Sequence, residues 1–534
     1  MLVVSPRAAL LTVPVLLESP EARPAAGVSR RRSRCPTRYF PSFSVHVLAS
    51  GRMLPRCSRR RRASELPVNG PCGKFPHFPG GPHRFSFRPG RRRTLGLWLV
   101  PLDFLIRQCR LEGPVAKRHV LFVNLRRIQR EGLESLLAAR RLGYGVVLLG
   151  RSVPEFAKPL VDEFRQVDTY DREASLAAAR DLAKSYDLAG VANFTEVDVQ
   201  LVAAIAADLG LRGMSETAAL RARNKYAMKE ALRHLGGVLP RFARVTGLDE
   251  LRKALDEVGL PAVVKPTGAS GSKGIFELRG PADLEPAMER LAGIARPDFD
   301  PVFRQFGAEF IVEEFLEGDE LSVEGFVSDG EVHVVTVTDK VTSVPYHLEL
   351  SHKVPSALPS DDWAEITATT KDIVAGLGFD HCAFHLEAKW GEQGLRFIEI
   401  AARPAGDYIG SHLVPLATGV DYFENVIRVA TGDPLRLEHD RQVNAGLRFV
   451  LAERAGRFEE VGGLQGICEQ AGFDHVFYEV PAGTEVALPP ENFGQQRVAA
   501  VVARHVTRAG LEALLDRVPA EAVARVTPAV ADGE

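Results

Sequence analysis

Short apolar runs and amphipathic helical patterns alternate between residues 118 and about 215. A short apolar run indicates a buried strand, and apolar residues at every third or fourth position indicate a helix. The alternation is typical of βαβ units around a parallel sheet. No G-x-G-x-x-G follows the first run, so dinucleotide binding is not indicated. The pattern predicts strands at 119–123, 145–150 and 190–194 and helices at 132–141, 172–184 and 198–209.

After residue 215 the strands and helices mix without a repeat, which favours a larger body of α+β type. Residues 345–356 are predicted as a loop, and further strands and helices from residue 445 predict a small C-terminal α+β domain. The fold class is therefore α/β and α+β: a small Rossmann-like parallel-sheet domain, a core of two α+β subdomains and the C-terminal domain. The core elements are predicted strands at 261–265, 311–316, 321–327, 332–337, 382–390 and 395–400 and helices at 248–257, 362–377 and 422–430.

The first 114 residues differ in charge from the rest of the chain. They hold 21 Lys and Arg, 20 of them Arg, against 5 Asp and Glu, a balance of +16; the remainder holds 67 − 21 = 46 against 68 − 5 = 63, a balance of −17. Arg runs such as 59–62 and many prolines leave too little apolar surface to offset the entropy of ordering. We predict a disordered Arg- and Pro-rich arm at 1–114.

Three interpretations of this arm remain open. A basic arm for nucleic acid is one, although no folded basic module accompanies it, so no nucleic-acid partner is expected. An Arg-rich, acid-poor organelle transit peptide is another. We favour the third, translated GC-rich non-coding DNA before a true start at Val115, because Arg so far outnumbers Lys. Mass spectrometry of the native N-terminus distinguishes them.

Cysteine spacing and hydropathy indicate the cellular compartment and whether a membrane partner is expected. Four of the six cysteines lie in the arm, and Cys382 and Cys468 belong to no CxxC pair or zinc-finger spacing. Both suit a reducing cytosol, so we expect a cytoplasmic location. The apolar run 8–17 contains Pro14 and is too short to span a bilayer, so no membrane partner is expected, although a secretory h-region stays open.

Residues 261–276 carry the first candidate chemistry. A short apolar run ends at Lys265 and leads into a loop rich in Gly and Ser. Small residues let backbone N–H groups approach phosphates without hindrance from a Cβ atom. The Walker pattern G-x-x-x-x-G-K-[ST] is absent. The loop residues whose size suits a triphosphate are Ser270, Gly271, Ser272 and Gly274.

Three later segments continue this pattern in a fixed order. They are residues 310–324, an acidic hinge; His385-Leu386-Glu387; and residues 397–403, which contain Glu399 and end at Arg403. A strand lysine, an acidic hinge and two strand carboxylates followed by an arginine resemble the ATP-grasp superfamily. The resemblance implies a pre-ATP-grasp domain at 115–215 and an ATP-grasp domain at 216–440.

The resemblance implies how ATP is held. Lys225, at the start of a helix, and Lys265 match the family's phosphate-contacting lysines. Glu313 and Leu316 match the backbone contacts to adenine, and Glu320 matches the ribose carboxylate. An ionised carboxylate only accepts hydrogen bonds, and two ribose hydroxyls donate them. An exposed helix lysine and a surface acidic cluster are the alternatives.

The resemblance also implies a magnesium site at Glu387 and Glu399. If their strands pair, alternation lets both carboxylates project from one face of the sheet. Two carboxylates plus phosphate oxygens are how Mg²⁺ is usually held, and Mn²⁺ is expected to substitute. Arg403 would place a fixed cation at the γ-phosphate or the substrate carboxylate. Ala401 stands where most members have Asn, which leaves the number of metals open.

A narrower resemblance rests on Glu349-x-x-His352. This spacing resembles the L-amino acid ligases that make dipeptides, in which the pair lines the amino acid pocket. A carboxylate can bind an ammonium group, and a His can donate to a carboxylate or a developing oxyanion. Residues 441–534 are similar to the extra C-terminal domain of these ligases.

These resemblances predict an ATP-dependent carboxylate–amine ligase. ATP would phosphorylate a small-molecule carboxylate to an acylphosphate, which an amine would capture with release of ADP and phosphate. Arg403, His352 and Glu349 are the predicted catalytic residues, and the substrates are expected to be amino acids. Two alternatives remain: a ligase with another acceptor, and a non-catalytic ATP-binding or regulatory protein, which Ala401 would suit. A homodimer is the default expectation for a symmetric assembly.

Overall fold

The computed structural model describes residues 117–528 except 345, 490, 491 and 493, together with the backbone of two strands in the N-terminal arm. The chain forms two compact units, Met1–Leu111 and Glu112–Glu534. In the first unit, β1 (Leu11–Val15) pairs antiparallel with β2 (Phe43–Val47). These ten residues form strands, whose Val and Thr favour extended backbone, and the disorder of the arm as a whole stays a prediction. The other predictions for the arm lie outside the described residues.

A four-stranded parallel sheet opens the second unit. Its strands are β3 (His119–Val123), β4 (Gly145–Gly150), β5 (Glu163–Gln166) and β6 (Leu188–Ala192), in the order β5-β4-β3-β6. Apolar side chains of β3, β4 and β6 are buried on both faces, as covering helices require of a parallel sheet. The predicted βαβ order is confirmed. The helices are α1 (Gln129–Arg141), α2 (Arg172–Ser185) and α3 (Val199–Asp208), with a 3₁₀ turn at Lys158–Leu160.

Two short helices lead into an antiparallel four-stranded sheet. They are α4 (Glu216–Arg223) and α5 (Lys225–Ala231), which a 3₁₀ segment at Arg233–Val238 follows. The sheet packs against three further helices around its own apolar core. Its order is β7-β10-β8-β9. The elements are β7 (Phe242–Val245), α6 (Leu248–Val258), β8 (Ala262–Pro266), β9 (Phe276–Leu278), a 3₁₀ turn at Pro281–Asp283, α7 (Leu284–Ile294), α8 (Phe303–Phe306) and β10 (Phe310–Glu314).

An eight-stranded antiparallel sheet forms the largest body. Its strands are β11 (Asp319–Ser328), β12 (Glu331–Thr342), β13 (Glu349–Val354), β14 (Cys382–Gly391), β15 (Gly394–Ala401), β16 (Asn444–Leu451), β18 (Phe473–Tyr478) and β20 (Arg497–His505). They lie in the order β15-β14-β11-β12-β13-β16-β20-β18. The helices are α9 (Ser360–Leu377), α10 (Val414–Thr418) and α11 (Tyr422–Thr431), with a π-helical turn at Ile409–Leu413.

The predicted loop at 345–356 is wrong for residues 349–354, which form β13. This strand pairs with β12 on one side and with β16 on the other. Because β16 lies about ninety residues further along the chain, no local sequence pattern predicts that β13 pairs with it. The sheet consequently runs without a break from the core into the C-terminal segment, across the predicted domain boundary at 440.

A smaller three-stranded sheet completes the C-terminal segment, whose core packs around helices of the same segment. Its order is β19-β17-β21. No helix in the described part of the chain combines the length and apolar character that a bilayer crossing needs. The remaining elements are β17 (Gly456–Gly462), α12 (Leu464–Cys468), β19 (Glu485–Val486), α13 (Arg508–Leu515), α14 (Arg517–Glu521) and β21 (Val523–Thr527).

A buried charge cluster joins the C-terminal strands to the core. Arg497, at the start of β20, donates to both carboxylate oxygens of Asp407 at 2.7 and 2.9 Å. Its guanidinium also lies 4.2 Å from the ring centre of Phe449. Glu479 lies 3.7 Å from the same guanidinium, and its Oε1 is buried without a hydrogen-bond partner. Burial raises the pKa of Glu479 to about 7.

This pKa predicts that Glu479→Gln stabilises the protein at alkaline pH. The folded pKa lies above the usual value of 4.5, so the contribution of Glu479 to stability is complete below about pH 4.5 and is lost as pH rises through 7. At pH 8 the variant should gain roughly 3 kcal/mol. Melting temperatures at pH 5 and pH 8 check this, with exposed Glu469→Gln as control. An equal effect at both pH values would contradict it.

Candidate active site

The glycine-rich loop lies between β8 and β9 and turns sharply at its centre. Gly271, Ser272 and Gly274 adopt φ values of +71°, +57° and +76°, the left-handed region that favours glycine. Lys225 begins α5, where the Asn224 side chain caps the helix by accepting from the Ala227 N–H at 2.8 Å. The cap directs Lys225 toward this loop, and its Nζ donates to the Ala269 carbonyl at 2.7 Å.

Two predicted phosphate lysines point into one buried region. Lys225 Nζ lies 3.2 Å from Glu399 Oε2, and Lys265 Nζ lies 3.0 Å from Glu313 Oε2. Burial alone would lower the pKa of Lys265, but the carboxylates of Glu313 and Glu399 outweigh it and raise that pKa. Lys265 therefore stays charged at neutral pH. The helix α5, the strand β8 and the hinge strand β10 meet in this region.

Lys229 was not identified from the sequence, although it lies one turn after Lys225 on the same helix. Its side chain is fully buried, with Nζ 3.2 Å from Glu313 Oε1 and 2.5 Å from the Ile398 carbonyl. Burial lowers the pKa of Lys229 to about 8 against the attraction of Glu313. Glu313 is thus held between two lysines through its side chain. The i, i+4 spacing was the available signal.

Glu387 and Glu399 are direct cross-strand partners on β14 and β15. The expected pairing of these strands is confirmed, and it places both carboxylates on one face of the sheet. Both hydrogen bonds to Glu387, from Lys340 at 2.5 Å and His385 at 3.2 Å, fall on Oε1. Lys340 and the other neighbours outweigh burial and lower the pKa of Glu387 well below its usual range. The group is therefore an anion.

The donor set fits a magnesium ion. Among the described residues, no three His, Cys, Asp or Glu side chains converge into a complete metal cage. Magnesium does not need one, because it keeps waters and takes phosphate oxygens beside one or two carboxylates. Oε2 of Glu387 keeps its lone pairs for a cation, and Glu399 lies opposite on the same face.

His385 occupies the position across from Ala401 in the β14–β15 ladder. Its Nδ1 lies 3.1 Å from both oxygens of the buried Glu324, and its Nε2 lies 3.2 Å from Glu387. Burial would lower the pKa of His385, but Glu324 and Glu387 raise it to about 9. A cationic imidazolium therefore supports Glu387 beside the small Ala401 side chain.

Lys340, on β12, joins three of the predicted site carboxylates. Its Nζ lies 3.3 Å from Glu320, 2.6 Å from Glu349 and 2.5 Å from Glu387, in each case from Oε1. Lys389 contacts the other oxygen of Glu320 at 3.1 Å. Sequence reasoning missed Lys340. The sequence feature that could have identified it is a single lysine near the end of a strand that is otherwise rich in Val and Thr.

Glu349 and His352 lie on β13 at the edge of this carboxylate group. His352 is buried, with Nδ1 3.9 Å from Glu349 and Nε2 3.6 Å from Asp407. Both of its ring nitrogens, and Oε2 of Glu349, are buried without a hydrogen-bond partner. Burial raises the pKa of Glu349. Buried polar atoms without partners are costly unless a ligand or water supplies them.

Arg403 is held by the parallel-sheet domain. Its Nε donates to Glu196 at 3.0 Å, and the other oxygen of Glu196 accepts from Arg223 at 2.7 Å. Burial would raise the pKa of Glu196, but the two arginines outweigh it and lower that pKa. Asn193 donates to the Ala402 carbonyl at 2.9 Å. Glu196 was missed because its partners lie in other domains.

Leu316 and Ser270 complete the set of predicted nucleotide-binding residues. Leu316 follows the end of β10 in the linker to β11, and Glu313 lies inside β10 with its side chain turned to the lysines. Ser270 lies in the turn with the residues of left-handed conformation described above. Neighbouring Lys273 pairs with Asp300 at 2.5 Å. Contacts of these residues with adenine and phosphate stay predictions.

Comparison with known proteins agrees with this geometry. Residues 258–412 match the ATP-grasp domain, and residues 136–213 match the ATP-grasp N-terminal domain. Alanine–anticapsin ligase of Bacillus subtilis is 36% identical over 213 residues, which are 37% of this chain and 44% of that protein. The match thus spans less than half the length of this relative. The protein y4rH of Sinorhizobium fredii is 26% identical over 75% of this chain and 81% of its own.

The fold has a close counterpart among solved structures. The L-amino acid ligase from Bacillus licheniformis superposes with a TM-score of 0.69 at 20% identity, over 78% of this chain and all of that one. At this identity the likeness shows the fold. The predicted resemblance and the predicted fold class are confirmed. Residues 258–412 and 136–213 of the chain are thus similar to the two domains of ATP-grasp proteins.

Proposed function

We propose that this protein is an ATP-dependent carboxylate–amine ligase that joins two amino acids. The observation that carries the proposal is the convergence of Glu320, Glu349 and Glu387 on one ammonium group, that of Lys340. These carboxylates belong to the predicted ribose, amino acid and metal sites. Nucleotide, metal and substrate pocket would therefore share one centre. The similarity to alanine–anticapsin ligase and to the L-amino acid ligase supports amino acids as the substrate class.

In the first step, the γ-phosphoryl group of ATP would pass to a substrate carboxylate. Lys225 and Lys265 would hold the phosphates, and Arg403 would neutralise the carboxylate or the transferring group. Mg²⁺ or Mn²⁺, held by Glu387 and Glu399, would neutralise phosphate charge. The residues position the reactants and balance their like charges, which is the main task of a protein in phosphoryl transfer.

In the second step, the amine of the other substrate would attack the acylphosphate carbon and expel phosphate. Glu349 would accept from an ammonium group of an amino acid through its unpartnered oxygen, and His352 would donate to a carboxylate or to the developing oxyanion.

A cytoplasmic site of action belongs to the same proposal, because Cys382 and Cys468 are free thiols. The homodimer stays a prediction.

A phosphate-release screen of amino acids in pairs tests the proposal. The ligase should release phosphate and ADP only when a carboxylate substrate and an amine substrate are both present, and the amide product should appear by mass spectrometry in equal amount. Phosphate release that ignores amino acids would contradict the proposal. Nucleotide binding without release under any pair would instead indicate a non-catalytic ATP-binding protein.

Replacement of one site charge should reduce turnover sharply. Lys265→Ala or Glu399→Ala removes an electrostatic contact to the reacting triphosphate, and such a loss commonly costs about 3 kcal/mol in barrier, or about a hundredfold in rate. Phosphate release at saturating substrates measures it. The exposed helix residue Lys371 supplies a control, Lys371→Ala. Near-normal turnover in either site variant would remove that residue from the assignment.

His352→Ala should impair amino acid binding more than ATP binding. Both imidazole nitrogens are buried without a hydrogen-bond partner, and a hydrogen bond from one of them to a charged substrate group would be worth about 1.5–3 kcal/mol. The KM for one amino acid should therefore rise about ten- to a hundredfold. Calorimetry with a non-hydrolysable ATP analogue should give an unchanged affinity. A change in ATP affinity alone would place His352 outside the amino acid pocket.

A further inference from the structure

Lys340 lies at the centre of the charged site, yet neither strand pairing nor capping requires a cation there. Its side chain is 1% exposed. An ammonium group has three N–H donors, and Nζ of Lys340 contacts three different carboxylates, Glu320, Glu349 and Glu387. The shortest of these contacts, to Glu387 at 2.5 Å, is a hydrogen bond, and the other two lie within ion-pair distance. Burial would lower the pKa of Lys340, but the three carboxylates raise it well above its usual value.

The link between Glu349 and Glu387 is particular to Lys340. In the part of the chain that the structure describes, Glu349 has ion-pair contacts with Lys340 and His352, and Glu387 has them with Lys340 and His385. No other lysine or arginine among those residues pairs with both. Lys389 contacts Glu320 alone of the three, at 3.1 Å. It thus offers a matched control that shares one carboxylate and lacks the other two.

We infer that Lys340 is a positioning residue that holds the amino acid pocket and the metal-binding carboxylate at a fixed distance from each other. The inference rests on the proposed function, because Glu349 and Glu387 receive their roles there. Lys340 touches neither reacting atom. It acts through Glu349, whose Oε2 is buried without a hydrogen-bond partner, and through Glu387, whose Oε1 accepts the hydrogen bond from the ammonium group.

The physical reason is repulsion among like charges. Three carboxylates within reach of one atom repel one another strongly in a partly buried site. Lys340 holds each carboxylate in one orientation. Without it, Glu387 would turn away from its neighbours, and Glu349 would lose the cation that fixes Oε1. Partners of this kind behind a metal ligand commonly matter about ten- to a hundredfold for metal affinity.

The test compares Lys340→Met with Lys389→Met. Calorimetry measures how binding of a non-hydrolysable ATP analogue depends on Mn²⁺ concentration, and steady-state phosphate release measures the KM for each amino acid. In Lys340→Met, the Mn²⁺ concentration for half-maximal nucleotide binding and the KM for one amino acid should both rise about tenfold or more. Lys389→Met should change nucleotide affinity without a shift in either of these two quantities.

Lys340→Arg covers the case in which the methionine variant does not fold. Arginine keeps the charge, but its planar fork cannot direct three donors from one point. The variant should melt near the wild-type temperature and still show both shifts. The inference is overturned if the folded variants keep the wild-type Mn²⁺ dependence, if only one of the two quantities moves, or if Lys389→Met moves both equally.

Failure of the proposed function gives a different result. If the wild-type protein releases no phosphate with any amino acid pair, the ligase proposal fails. Amino acid binding is then followed by calorimetry in the presence of the nucleotide analogue, and the Mn²⁺ dependence is measured as before. If amino acid affinity and the Mn²⁺ dependence of nucleotide binding both shift in Lys340→Met, the positioning role is still supported. If neither shifts, it is overturned.

Discussion

The site depends on the mutual compensation of buried charges. Lys340, Lys265 and Lys229 lie where water is excluded, and each is held by carboxylates within 3.3 Å. An isolated buried charge is strongly unfavourable, whereas paired charges with several hydrogen bonds persist. The buried lysines and the carboxylates each depend on the other group, because removal of a lysine leaves carboxylates that repel one another. This mutual dependence fixes the carboxylates in an arrangement that a nucleotide and a metal can use.

The pairing of the antiparallel strands determines where these compensating charges lie relative to one another. Cross-strand partners share a face, so the pairing of Glu387 with Glu399 sets these two carboxylates, the proposed metal ligands, side by side. Lys340 is itself the cross-strand partner of His352, which brings the proposed amino acid pocket to the same stretch of sheet. The ladder continues through β16 to β20, whose Arg497 holds Asp407 near His352. The C-terminal segment thus closes one side of the pocket.

The parallel-sheet domain contributes through the loops that follow its strands. Arg126, after β3, donates to the carbonyls of Phe194 and Ala405 and to Glu131, all at 2.9 Å. Glu196, after β6, holds Arg403. Loops at the carboxyl ends of parallel strands commonly carry ligand sites in such folds. Here they fix the position of an arginine that belongs to the neighbouring sheet.

The sequence by itself determined most of the local elements and the shared face of Glu387 and Glu399. Residues 119–123 form a strand because a short apolar run can be buried on both faces, and strand alternation put Glu387 and Glu399 on one side. The ordered motifs also indicated the family. Tertiary structure alone decided which charges meet. Partners far along the chain determine the contacts of Lys340 and Glu196 and the formation of the strand Glu349–Val354. Local secondary-structure propensity contains no information about such partners.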